Sequence, residues 1–313
     1  MKWTYHNIPD QTGTVAIVTG ANAGIGYETA RQLALKGAHV VMASRNEERG
    51  LEAIEKILAE NPRASVELGV LDLSSLISIR RFVKSFTGKH DRLDLLVNNA
   101  GVMVPPMSVT DEGFELQIGV NYLGHFALTG LLFPLIDETS GSRIVTVSSL
   151  AHRGGIIDLD NFRGEKHYSP WKAYEQSKLA NLIFAIDLQR RLDAAGSRTK
   201  SLAAHPGWTK TDLQRHSGVT SLVTSLVGME ANQGALPTLR AATDFEASGG
   251  AYYGPNRFGE TIGHPERAKV GNRAKDTEMA RKLWAVAEEA TGVRFLSSKS
   301  NVLRTAPRRA KAA

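Results

Sequence analysis

The sequence predicts a doubly wound α/β fold, a single domain in which helices cover both faces of a parallel sheet. Three observations carry that expectation. Short, continuously apolar β-branched runs alternate with longer helical patterns, and strands that are apolar throughout are buried on both faces, as parallel strands are. The first run ends in a glycine-rich junction that leads straight into a helix. No long Pro/Gly/Ser linker and no internal repeat interrupts the chain before Gly292, so its 313 residues read as one body.

Taken in order, residues 14–19 form the first strand and 25–36 its helix. The unit repeats as strand 38–43 with helix 47–60, strand 65–70 with helix 75–86, and strand 93–97 with helix 112–136. Strand 143–147 precedes a helix over 171–194, and 199–203 is one more strand. Tyr252-Tyr253-Gly254-Pro255 reads as a last strand and a loop edging a pocket. The domain is expected to span 1–296. From 297 to 313 the apolar periodicity stops, and a basic, Ala-rich tail follows that is expected to be solvated and disordered.

Composition narrows the function. With no cysteine, the chain is neither a disulfide scaffold nor a cysteine-ligated metal protein, and 42% hydrophobic residues exclude a disordered chain. The start is polar, and no run approaches the ~18 consecutive apolar residues of a membrane span. A cytoplasmic protein with no integral membrane association is therefore expected. A pI near 9.5 raises nucleic acid or an acidic membrane as a partner. Five of the net +6 charges, however, are Lys299, Arg304, Arg308, Arg309 and Lys311 in the tail, which leaves the body near neutral. No nucleic-acid partner is expected. The nine histidines show no His-Glu-x-x-His spacing, so no metal is expected either.

The first strand ends in Thr19-Gly20-Ala21-Asn22-Ala23-Gly24-Ile25-Gly26. Glycines let backbone approach a ligand, and free amides at a helix start attract an anion such as pyrophosphate. An ordinary tight turn is the alternative, because Gly-x-x-x-Gly-x-Gly departs from the Gly-x-Gly-x-x-Gly dinucleotide fingerprint. Asn98-Asn99-Ala100-Gly101 follows the fourth strand, where amides can tie strand ends together and small residues admit a ribose. Asp72-Leu73 closes the third strand, with Asp72 facing an adenine amino group or capping the next helix. The second strand ends in Ser44-Arg45 with no acid at its tip. A carboxylate there would bind a ribose 2′-hydroxyl and repel a 2′-phosphate, which guanidinium binds bidentately. NADP(H) is expected over NAD(H).

Tyr174-Glu-Gln-Ser-Lys178 puts a phenol and an ammonium on one helix face, where the cation is expected to lower the tyrosine pKa. Ser149 ends strand 143–147, with Ser148 its neighbouring alternative. Asn121 is a polar residue in a strongly apolar helix, holding either a water or only its own core partners.

In this order, followed by His205-Pro206-Gly207, these pieces resemble the short-chain dehydrogenase/reductase family, with its Rossmann fold, over roughly residues 14–253. The resemblance implies Tyr174 as general acid/base, Lys178 as holder of the nicotinamide ribose and tuner of Tyr174, Ser149 as orienter of the substrate carbonyl, and Asn121 as holder of a water. It places Thr19, Gly20, Gly24, Ile25, Gly26, Asn98, Ala100 and Gly101 along the cofactor, with Pro206, Gly207, Thr209 and Thr211 near the nicotinamide carboxamide. The reaction implied is hydride transfer between NADP(H) and a carbonyl or alcohol.

The separation of Ser149 from Tyr174 is about twice that of most members, because of an extra segment from about His152 to Pro170. In this the chain is similar to the branch of retinol dehydrogenases, their WW-domain-containing relatives and protochlorophyllide reductases. That branch takes bulky apolar substrates, and the apolar Leu222, Leu226, Val227 and Met229 in a lid expected at 212–230 agree with it. The family also suggests a homodimer or homotetramer built on Phe126, Leu128, Leu131, Leu132 and Phe133, which otherwise serve as core. Reduction of a carbon-carbon double bond, or non-catalytic dinucleotide sensing, are the alternative functions.

Overall fold

The computed structural model describes residues 2–209 and 229–296. Among them eight strands form one sheet: β1 (Val15–Thr19), β2 (His39–Ser44), β3 (Ser65–Val70), β4 (Leu95–Asn98), β5 (Arg143–Val147), β6 (Lys200–Ala204), β7 (Tyr252–Arg257) and β8 (Ile262–Arg267). Their order is β3-β2-β1-β4-β5-β6-β7-β8. The first seven run parallel, and β8 turns back antiparallel beside β7. Strand order reverses between β1 and β4, which opens a crevice at the carboxyl ends of those strands.

Seven helices cover the sheet: α1 (Gly24–Leu35), α2 (Glu47–Glu60), α3 (Leu76–Thr87), α4 (Leu116–Glu138), α5 (Pro170–Ala195), α6 (Ala231–Thr243) and α7 (Thr277–Thr291), counted among the described residues. Side chains alternate along each strand. On β1, Ala16 and Val18 pack into the layer of α1, α2 and α6, whereas Ile17 packs into that of α3, α4, α5 and α7. All three are fully buried.

The helix expected from residue 112 begins at Leu116. Gly113 turns the chain at φ +79°, and the Glu115 carboxylate then caps the helix by accepting from the Gln117 and Ile118 amides. By length and hydropathy α4 could cross a membrane, yet 83% of its most apolar window is buried inside the fold. Its residues Gly119–Gly124 form a π-helical turn. Glycine at each end permits it: a Cβ on Gly119 would strike Thr110, and one on Gly124 would lie 2.5 Å from the Leu73 carbonyl oxygen.

The apolar face suggested for subunit packing is largely consumed within the chain. Phe126, Leu128 and Leu132 are fully buried, and the Phe126 ring packs at steep angles against Phe184, Trp284 and Phe295. Thr211, most of the expected lid including Leu222, Leu226 and Val227, and the basic tail lie outside the described residues. Met229 is buried, and its amide donates to the Trp208 carbonyl at 2.8 Å.

Candidate active site

The glycine junction is held open by a cross-link between β1 and β4. The Thr19 hydroxyl accepts from the Asn99 and Ala100 amides, each at 2.9 Å, while the Asn99 side-chain amide donates to the Thr19 carbonyl at 2.8 Å. Gly20 and Gly24 stand at φ +65° and +56°, conformations that side chains rarely adopt. A Cβ on Gly26 would overlap the Gly20 oxygen and the Asn99 amide nitrogen. Ala23 sits at the N-cap of α1 with no side-chain acceptor, so the first amides of that helix stay free to meet an anion.

Beside this cradle lies a cavity of about 530 Å³. It is lined by Thr19, Gly20, Gly24, Ile25, Gly26, Ser44, Arg45, Asp72, Leu73, Ala100, Gly101, Ser149, Tyr174, Lys178 and Pro206, all of them expected from the sequence. Four expectations are corrected. Asn98 faces away, its side-chain amide donating to Thr129 in the core at 3.0 Å, and Asn99 takes its place on the wall. Gly207, at φ +70°, packs against the Thr261 carbonyl in the β7–β8 turn, and the Thr209 hydroxyl donates to the Pro206 carbonyl at 2.9 Å within its own segment. Neither is on the wall. Nor is Tyr252, whose side chain is buried within the fold.

At one end of the cavity the Ser44 hydroxyl donates to the Asn46 carbonyl at 3.0 Å. Arg45 and Arg49 supply two exposed guanidinium groups there. Arg49, in the first turn of α2, escaped the sequence reading. Asp72 caps no helix: its Oδ1 accepts from the Ser74 amide and hydroxyl, whereas Ser75 caps α3.

At the other end Tyr174, Lys178 and Ser149 converge. The Ser149 hydroxyl stands near enough to Tyr174 to favour its phenolate. Ser148 also lines the cavity, but its hydroxyl donates to the Lys178 carbonyl at 2.7 Å. Lys178 Nζ lies 5.7 Å from the Tyr174 ring centroid and donates to the Val147 carbonyl at 3.3 Å. Burial pushes the Tyr174 phenol up to about 12, with the Ser149 hydroxyl pulling the other way. Burial also brings the Lys178 ammonium down to about 8. For Tyr174 desolvation is the larger of the two influences.

Asn121, on the π turn, has protein partners at both ends of its side-chain amide. Its Oδ1 accepts from the Val102 amide at 2.8 Å, and its Nδ2 donates to the Val102 carbonyl and to Ser177. Its own carbonyl lies 2.9 Å from Nδ1 of His125, and that histidine's Nε2 is 2.9 Å from the Thr19 hydroxyl. His125 thus joins the two halves of the site. Its cue in the sequence is a second polar residue, four positions after Asn121, on the same apolar helix.

Val102, Met103, Pro105, Leu116 and Val120 add an apolar wall beside the reacting groups. Val104, in the same loop, is held at φ +55°, a strained conformation for a β-branched residue, and its amide donates to Gln117 Oε1 at 2.9 Å. The extra segment before α5 locks this loop from outside: the Tyr168 hydroxyl donates to the Pro105 carbonyl at 2.7 Å.

Residues 14–220 match the family model for short chain dehydrogenases. A polyprenol dehydrogenase from Mus musculus is 44% identical over 91% of this chain and 86% of its own length. Retinol dehydrogenase 11 from Homo sapiens is 42% identical, covering 90% and 86%. An uncharacterized protein from Mycobacterium Paratuberculosis, known by crystal structure, superposes with TM-score 0.80 at 42% identity, covering 94% and 99%. A short-chain dehydrogenase from Escherichia coli solved with NADPH gives TM-score 0.61 at 25% identity, covering 77% and 95%.

Proposed function

The chain belongs to the short-chain dehydrogenase/reductase family, oxidoreductases of alcohols and carbonyl compounds, and from that premise we propose that it is an NADP(H)-dependent enzyme acting on a lipophilic alcohol or its carbonyl partner through Tyr174. The observation that carries this reading is the convergence of Ser149, Tyr174 and Lys178 beside an apolar wall, in a cavity whose far end holds Arg45 and Arg49.

A dinucleotide fits the residues present. The cradle formed by Gly20, Gly24 and Gly26 leaves no Cβ in the way, the amides at the start of α1 suit pyrophosphate, and the arginine pair suits a 2′-phosphate. The Escherichia coli relative solved with NADPH supports that choice. Bound there, NADPH would supply a hydride and NADP+ would accept one. In reduction the Ser149 hydroxyl holds the carbonyl oxygen while Tyr174, protonated at neutral pH, gives that oxygen its proton. Lys178, charged below about pH 8, steadies the phenolate that is left. Oxidation is the reverse step and needs the Tyr174 phenolate, held by Lys178, to take the alcohol proton. The apolar wall excludes water around the reacting carbon and accepts hydrocarbon. The names of the polyprenol and retinol relatives support an isoprenoid alcohol as the substrate class to try first.

The test is Tyr174→Phe, assayed with NADPH and NADP+ against isoprenoid alcohols and aldehydes. Loss of turnover by about 10³-fold with NADPH binding retained is expected. Undiminished turnover would overturn the mechanism.

A further inference from the structure

The amino ends of the strands, remote from the cavity, hold a second cluster of chemically capable side chains. His39 opens β2, Glu67 lies within β3, and His90 follows α3. Nε2 of His90 is 2.9 Å and Nε2 of His39 is 4.0 Å from the same Glu67 Oε1. The three donor atoms all lie within 4.8 Å of one another.

Each ring is held in place by something else. Nδ1 of His39 is 2.7 Å from the Ser65 hydroxyl, and the His90 ring stacks on Phe86 with centroids 4.6 Å apart. Holding Nδ1 in this way aims the opposite nitrogen inward, as outer-shell partners of metal-bound histidines do. That nitrogen, His39 Nε2, is shielded from solvent and has no hydrogen-bond partner among the described residues. The Glu67–His90 pair leaves it unserved, and a shared cation would serve all three donors at once.

We propose that His39, Glu67 and His90 form a binding site for a divalent transition-metal cation of the zinc class. Two imidazoles and one carboxylate are a borderline-soft donor set that zinc takes and the oxygen-seeking Mg²⁺ and Ca²⁺ do not. Bonds of about 2.0–2.1 Å to a tetrahedral ion require donors about 3.3 Å apart, a spacing that the 2.9 and 4.0 Å separations bracket. The side chains are 15–30% exposed, so an ion can enter and keep a water at its fourth position. Lys89, whose ammonium is 3.5 Å from Glu67 Oε2 and largely exposed, competes for the carboxylate and can swing away. The ion would tie edge strand β3 to β2 and to the segment after α3. It would take no part in the reaction at the opposite end of the sheet.

This pattern escapes a search for local spacing because its ligands come from three separate segments. The test is Zn²⁺ titration by calorimetry of the full chain, without an affinity tag and stripped by chelator, with Co²⁺ absorption as a report of coordination. One equivalent should bind. His90→Gln and Glu67→Gln should each weaken binding by more than the about 10–100-fold that loss of an outer-shell partner costs, with oxidoreductase turnover unchanged as the check on folding. Lys89→Ala should tighten it about two- to fivefold, which keeps the test open if either ligand variant fails to fold. Binding below one equivalent, or affinity unchanged in both ligand variants, would overturn the proposal.

Discussion

The two ends of the cavity are built by different means. The end toward α1 and α2 is shaped by main chain: glycines at positive φ, free helix amides, and the Thr19–Asn99 cross-link. The end toward the apolar wall is shaped by side chains from the 102–105 loop, α4 and the segment before α5. Backbone geometry tolerates almost no change and suits one invariant ligand. A side-chain wall can be re-cut residue by residue, so it is where a substrate preference is set.

The sharpest way to break this contrast is at Gly26. Gly26→Val forces side-chain atoms into the Gly20 carbonyl and the Asn99 amide, and we expect nucleotide binding to fall below detection by fluorescence titration with a lowered Tm. Normal binding would mean that the cradle is not rigid. Next is the arginine pair. Arg45→Ala with Arg49→Ala should raise the KM for NADPH by about 10–100-fold and leave that for NADH nearly unchanged, and equal losses for both cofactors would refute a 2′-phosphate site. At the chemical end, Lys178 is charged below its pKa, so kcat/KM for reduction should be level up to about pH 8 and then fall about tenfold per unit as the ammonium is lost. Tyr174, up at about 12, stays protonated throughout that range. The smallest effect belongs to the wall: Met103→Ala should raise KM several-fold for a long isoprenoid alcohol, about 1 kcal/mol of lost burial, but not for a short one.

Legibility followed the same division. The cradle, Tyr174 and Lys178 are encoded in contiguous residues, and their order along the chain was enough to place them. The wall was not readable: Val102, Met103, Leu116 and Val120 meet only because α4 is pressed against the loop after β4, and the lid residues that the sequence pointed to, 222–228, lie outside the described residues. Asn98 was misplaced where strand parity decides. Leu96 packs in the layer of α4 and Leu95 and Val97 in the opposite one, so Asn98 shares the Leu96 side and reaches Thr129. Helix α6 was hidden by Pro237 within it and β8 by Gly263 and Pro265, residues that argue against those elements.

The aromatic cluster of Phe126, Phe184, Trp284 and Phe295 has a bearing on how the protein is made. Phe126 lies on the helix of Asn121 and Phe184 on the helix of Tyr174 and Lys178. The ring that seals them together, Trp284, is 100 residues further along the chain. During synthesis from the amino terminus both helices exist long before their cover does, with broad apolar surface open to the wrong neighbours. A ribosome halted before α7 should therefore hold a nascent chain that can already shape the glycine cradle yet is prone to clump and slow to turn over substrate.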